Sequence, residues 1–191
     1  MRCTVPAPFC AITTAKPLKQ ETEMNIRQET PKDYDEVYQL IKSAFAAAEH
    51  RDGTEQDLVA ALRKSAAFVP ELSLVAESGG RLAGHILFTE AKVGQDIVLV
   101  LAPLSVSPKF QRQGVGTALI REGHRIAREM GYRYSLVLGS ETYYPRSGYL
   151  PAAQFGIQIP DGMPEANFMA IPLQEQAGPI SGAVSYAEEF R

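Results

Sequence analysis

Asp96 to Val106 reads DIVLVLAPLSV, and this run limits the architecture more than any other stretch of the chain. It is almost continuously apolar and of strand length, the pattern of a strand covered on both faces. A loop follows, then an amphipathic segment from Gly114 to about Met130, then a second strand-like run from Ser135 to Leu138. Strand, loop, helix and strand in that order form a crossover, which makes parallel neighbours. Pro103 falls inside the first strand and has no N–H to donate, so ladder pairing is expected to fail nearby and the strand to splay.

The flanking segments are organised differently. Asn25 to Gln28 reads as a strand, and Thr30, Pro31 and Asp33 form a helix-start signal. Val37, Tyr38, Ile41 and Phe45 then recur at helical spacing until about Glu49-His50-Arg51-Asp52-Gly53. Thr54 with Asp57 opens a shorter helix carrying Leu58, Ala61 and Leu62. Leu72 to Glu77 and Leu82 to Thr89, joined by Ser78-Gly79-Gly80-Arg81, read as a hairpin. In the long helix Val115, Leu119, Ile126 and Met130 share a face, with Arg121, Arg125, Arg128 and Glu129 on others. A short turn or helix is expected at Tyr143 to Ser147, and strands at Phe155 to Ile159 and Asn167 to Leu173. The sum is a mixed α/β domain with hairpins at both ends.

We expect one domain over residues 24–173, preceded by a loose extension over 1–23 that carries three prolines and offers Met24 as an alternative start. The tail, 174–191, contains ISGAVSYAEEF, which could add a strand or cover a pocket. A chain of 191 residues supports one full core. Its 19 basic and 22 acidic residues give a net charge of -3, with no broad attraction for nucleic acid, so a small-molecule partner is expected. No apolar run approaches the ~20 residues of a membrane span. Both cysteines, Cys3 and Cys10, lie in the first ten residues, which excludes a disulfide framework for the core. These features fit a soluble, cytoplasmic protein.

Gly114 and Gly116 stand where the loop becomes the helix, although each costs helix stability relative to alanine. A helix start offers unpartnered N–H groups and a partial positive charge, and glycine there lets an anion come close to the backbone. A nucleoside triphosphate loop would need Gly-Lys-Ser/Thr, yet Thr117 and Ala118 follow Gly116. A dinucleotide fingerprint would need a third glycine or alanine where Leu119 stands. A phosphate cradle of another kind and an ordinary turn both remain open on this motif alone.

The pattern Gln111-Arg112-Gln113-Gly114-Val115-Gly116, together with Tyr144, Gly148 and Tyr149 of YPRSGY, resembles the GNAT superfamily of N-acetyltransferases. The resemblance runs from about Ile26 to Leu173. It implies the GNAT fold, a mixed central sheet with splayed parallel strands flanked by helices. It also implies acetyl-CoA as co-substrate, without a metal, and an amine acceptor that is either a small molecule or a protein amino group. By the same resemblance, the backbone of Gln111, Arg112, Gln113, Gly114, Val115, Gly116 and Thr117 would bind the pyrophosphate. Leu104, Ser105 and Val106 would pair with the pantetheine arm, and the Val106 N–H would face the thioester carbonyl. Tyr144, beside the thioester, would protonate the departing thiolate after direct attack by the amine.

The base is open. His85 is either a hydrogen-bonded core histidine or a pocket base. Glu49, His50 and Asp52 either border the acceptor or are simply solvated, and a water chain to bulk could serve instead. His124, among the helix charges, is expected to be exposed. Lys109 and Arg112 either reach the phosphates or lie solvated, and Arg146 either caps the Tyr144 turn or touches the cofactor. Within that superfamily GHILF, LAPLSV, YYPRSGYLPA and the late FMAI resemble one branch of small, mostly bacterial acetyltransferases, and Ser140-Glu141 and Ser147 depart from the His-Pro pair and the aromatic usual there, which bears on the acceptor pocket. A catalytically silent acyl-CoA-binding sensor is the alternative function, and a homodimer is left open by the resemblance.

Overall fold

The computed structural model describes residues 24–46 and 53–190. Glu49, His50 and Asp52, and the expected extension over 1–23, lie outside the described residues. Strand β1 (Met24–Gln28) leads through a short 3-10 turn (Pro31–Asp33) into α1 (Tyr34–Phe45). Thr30 opens that turn as expected, its N–H and hydroxyl both donating to the Asp33 carboxylate. Helix α2 (Glu55–Leu62) follows, and it buries Val59 as well as Leu62, with Leu58 and Ala61 only half-buried.

The hairpin of β2 (Phe68–Ser78) and β3 (Arg81–Val93) is longer at both ends than its expected core. Strand β4 (Asp96–Val106), helix α3 (Val115–Glu129) and strand β5 (Tyr134–Leu138) form the expected crossover. Two short strands, β6 (Leu150–Pro151) and β7 (Ile157–Gln158), precede β8 (Phe168–Pro172) and β9 (Gly182–Ser185). The strand expected at Phe155 to Ile159 is cut to two residues. Ala152–Phe155 winds instead as a 3-10 turn that Gly156 ends in a left-handed conformation, φ 82°, which breaks the extended run.

The main sheet runs β1-β2-β3-β4-β5-β8-β6, antiparallel throughout except for the parallel pair β4 and β5. From the tail, β9 adds to the end of β3, Val184 pairing with Val93, and lies parallel to β7. Helix α3 packs on one face over Ile86, Phe88, Leu99 and Leu101. Helices α1 and α2 cover Val75 and Leu87 on the other, where a second apolar cluster fills the β5, β8 and β9 end. No helix among the described residues is long and apolar enough to cross a membrane.

The buried stripe of α3 is Val115, Leu119, Ile120, His124 and Ala127, while Met130 caps the helix with 43% of its surface exposed. His124 is therefore not on the exposed face. It is 4% exposed, sits four residues after Ile120, and its Nε2 lies 3.0 Å from the Tyr149 hydroxyl. That hydroxyl in turn lies 2.8 Å from Ser135 Oγ, so three buried polar side chains satisfy one another. Burial, with a smaller push from Arg128, brings the His124 pKa down to about 4. The unfolded chain takes up this proton near the ordinary value of about 6.5, before the folded one does. Stability is thus full above about pH 6.5 and falls by about 3 kcal/mol as pH drops towards 4. His124→Gln should lose less thermal stability than the wild type between pH 7 and pH 4.5. An equal drop in both proteins would show that His124 carries none of this dependence.

Candidate active site

Two steps along β3, from Ile86 to Phe88, are matched by three along β4, from Leu104 to Leu101. One extra residue therefore sits in β4 at Ala102 and Pro103, a bulge at the position where proline withholds its donor. On the other side of β4 the parallel pairs with β5 are Leu99 with Ser135, Val100 with Leu136 and Leu101 with Val137, and none follows. The strands part there, as the expected splay requires.

Past the bulge, the Ser107 N–H donates to the Ala83 carbonyl at 2.9 Å. In an antiparallel ladder successive residues turn their peptide groups to opposite sides, so Ser105 also faces β3, whereas Leu104 and Val106 face the gap. The three residues expected to offer an edge are thus not equivalent. Gln111 Nε2 donates to the Val106 carbonyl at 3.2 Å, which satisfies that acceptor and leaves the Val106 N–H directed into the gap. The Ser105 side chain is 1% exposed on the opposite sheet face, and its Oγ has no partner among the described residues.

At the start of α3, the Ala118 N–H donates to the Gly114 carbonyl at 3.0 Å, which puts the amides of Val115, Gly116 and Thr117 ahead of the first intrahelical bond. Gly114 is left-handed, φ 84°, with open space where a Cβ would stand. Its side is clear for a ligand, and its backbone is one that L residues rarely adopt. Gln111, Arg112, Gln113 and Thr117 are exposed around it, and Lys109 is exposed with its carbonyl accepting from Gln113 Nε2 at 2.8 Å.

Gly116 has a packing reason to be glycine besides the one its motif suggests. A Cβ there would overlap the Tyr143 hydroxyl and lie 3.4 Å from Leu104 Cδ2. Its missing side chain makes room for a tyrosine and brings β4 against the helix start. Tyr143 is absent from the expected site residues, and its only sequence signal is adjacency to Tyr144.

Tyr144 opens the 3-10 turn Tyr144–Ser147 and packs edge-on against Tyr143 and Tyr149, at centroid distances of 5.2 and 5.7 Å. Gly139 leaves space for its ring, since a Cβ there would overlap it. Burial raises the Tyr144 pKa, so the phenol keeps its proton at neutral pH. Arg146 is exposed. Glu141, one of the unusual residues here, accepts from Asn167 Nδ2 at 2.7 Å, and the same amide donates to the Gly139 carbonyl at 3.0 Å.

His85 is fully buried. Its Nε2 lies 3.3 Å from Ser73 Oγ and 3.6 Å from Glu29 Oε1, and Glu29 is also paired with Arg63. Burial lowers the His85 pKa, partly offset by Glu29, so the ring is neutral. This is the hydrogen-bonded core histidine of the two alternatives. No cluster of His, Cys, Asp and Glu among the described residues is arranged to hold a metal ion.

An open mixed sheet with a parted parallel pair, and a free helix start beside the gap, is the architecture of the acyltransferase fold expected above. The chain belongs to the acetyltransferase (GNAT) family, whose sequence profile matches residues 34–149. It is 40% identical over 142 residues to the uncharacterised N-acetyltransferase YjhQ of Escherichia coli (strain K12), covering 70% of this chain and 78% of that one. YhbS of the same organism, also named an uncharacterised N-acetyltransferase, is 31% identical over 171 residues, 87% of this chain and 98% of its own. The solved structure of E. coli YhbS in complex with CoA superposes with a TM-score of 0.80 at 28% identity, covering 99% of this chain and 96% of that one. A GNAT family acetyltransferase from Brucella melitensis, solved with acetyl-CoA, gives 0.73 at 32% identity, covering 89% and 99%.

The contact between Gly116 and Tyr143 is directly testable. Gly116→Ala should destabilise the protein by about 1–3 kcal/mol, because the new methyl group meets a packed hydroxyl. Tyr143→Phe removes that hydroxyl and leaves the nearest ring atom 3.5 Å from the methyl, so the double variant should recover most of the loss in urea denaturation. The same cost in both backgrounds would rule out this contact as the reason for glycine.

Proposed function

We propose that the protein is an acetyl-CoA-dependent N-acetyltransferase in which a primary amine attacks the thioester directly. The observation that carries this reading is the free edge of β4 at Leu104 and Val106, lying beside the unpartnered amides at the start of α3. Such an edge fits the amide groups of a pantetheine arm, and such a helix start fits a pyrophosphate. The residues present therefore suit acetyl-CoA, which supplies the activated acetyl group. Relatives solved with CoA and with acetyl-CoA support the same assignment.

On this reading the amides from Gln111 to Thr117 hold the pyrophosphate, with Gly114 leaving the approach open. The Val106 N–H donates to the thioester oxygen as negative charge grows there. The amine nitrogen bonds to the carbonyl carbon, the carbon–sulfur bond breaks, and the Tyr144 hydroxyl gives its proton to the departing sulfur. Solvent then carries the proton lost by the amine back to the phenolate. His85, neutral and enclosed, supports the strands and does not act as the base.

Tyr144→Phe should lower kcat by about 100-fold or more while acetyl-CoA affinity changes little. Calorimetry and steady-state kinetics on the same preparation separate these two effects. A variant as fast as the wild type would remove Tyr144 from the chemistry. Transfer itself is tested by incubating the protein with isotope-labelled acetyl-CoA and a metabolite and peptide extract, then seeking labelled products by mass spectrometry. Tight acetyl-CoA binding without any labelled product would favour a sensor over an enzyme.

A further inference from the structure

A cavity of about 300 Å³ opens where β4 and β5 part. Leu101 and Val137, the last paired residues, line it together with Ala102 and Leu138, the first beyond the pairing. Met163 and, from the C-terminal tail, Tyr186 and Phe190 also line it. The tail is held there by its own packing: Tyr186 and Phe190 contact each other at 5.6 Å, and Phe190 joins the apolar clusters on this sheet face. Leu138 is 50% exposed, a large apolar side chain left facing open space.

We propose that this cavity is the acceptor site and that its substrate class is small primary monoamines with an apolar, aryl or branched-alkyl body and no second charged group. The inference rests on the acetyltransferase reading above. Position is the first argument, since the cavity opens into the same gap, beginning at Ala102, two residues before the free edge at Leu104 and four before the Val106 N–H to which that reading assigns the thioester. Chemistry is the second. Among the described residues every lining side chain except Tyr186 is apolar, and none is charged. An ammonium group moved into such surroundings loses water without gaining a partner, so the neutral amine is favoured. The neutral amine is also the nucleophile, so the cavity selects the reactive form without a dedicated base. A diamine, an aminoglycoside or an amino acid would have to bury a further charge. Size is the third argument, because the volume lies at the lower end of the ~300–1,000 Å³ typical of small-molecule pockets.

The test uses the full chain at saturating acetyl-CoA, with CoA release followed by a thiol reagent. The acceptors are 2-phenylethylamine, 3-methylbutylamine, phenylalanine, 1,4-diaminobutane and kanamycin. The two apolar monoamines should exceed the charged acceptors in kcat/KM by about 100-fold, given the cost of an unpaired buried charge. Met163→Asp should shift that ratio towards the diamine by at least about 10-fold while leaving acetyl-CoA affinity unchanged. The wild-type comparison stands by itself if Met163→Asp folds poorly.

Measured acetyl-CoA binding with turnover of charged acceptors only, or of none of the five, would overturn the monoamine assignment and leave the transferase reading standing. Tighter binding of hexanoyl-CoA than acetyl-CoA, lost in Met163→Asp, would also overturn it, because the cavity would then hold the acyl chain. Failure to bind acetyl-CoA at all would sink the transferase reading itself, and this inference with it.

Discussion

Parallel pairing between β4 and β5 lasts for three residue pairs and then ends, and the arrangement of the site depends on that ending. The bulge at Ala102 and Pro103 does more than remove a donor. It shifts the alternation of side chains, so that Leu99, Leu101, Leu104 and Val106 all pack on the α3 side. Under unbroken alternation through Ala102 and Pro103, Ser105 would take that face and Leu104 would turn away from it. The same shift directs the peptide groups of Leu104 and Val106 into the gap. One irregular residue thus sets both the packing under α3 and the hydrogen-bonding edge beside it.

Much of this is legible in the sequence because it rests on local patterns. A continuous apolar run marks β4 to the residue, and Pro103 marks where its pairing fails. The Gln-Arg-Gln-Gly-Val-Gly pattern marks a strand-to-helix turn. What escapes depends on contacts between distant segments. The apolar set Val115, Leu119, Ile126 and Met130 matches the true stripe of α3 at its first two members and is displaced from it after Leu119. That displacement puts His124 on the charged face, although four residues after Ile120 and three before Ala127 is a core position. Its burial is tolerable only because Tyr149 and Ser135 supply partners from elsewhere in the chain. The motif accounts for Gly116 by phosphate approach, while the hydroxyl that occupies its empty side comes from Tyr143. Phe155 to Ile159 alternates well enough for a strand, but Gly156 bends the backbone out of it.

Behind the bulge lies a buried ionic cluster. Glu29 follows β1, Arg63 follows α2, Ser73 belongs to β2 and His85 to β3. Burial alone would raise the Glu29 pKa, but hydrogen bonds from His85, Arg63 and Ser73 outweigh it and keep the carboxylate ionised. Such a cluster is weak evidence for net stability, because two charges must leave water to form it. Removing one partner is costly, however, since the other charge is then buried alone. The cluster therefore resists displacement of any one of four segments. His85 pairs across the strands with Ser105, so that resistance is applied where β4 has lost its neighbour on the other side.

The two faces of the sheet also differ in the ligand chemistry they can accept. On the α3 side, the helix start presents unpartnered N–H groups and a partial positive charge, which favours an anion. On the other side, the cavity at the parting strands presents aliphatic and aromatic side chains, which disfavour any charge. The gap between β4 and β5 joins these environments over the width of one sheet. Under the proposed function, a reaction that begins with a highly charged donor and an uncharged nucleophile needs both at once. A fully paired sheet would keep them apart, and the unpaired end of β4 is what lets them meet.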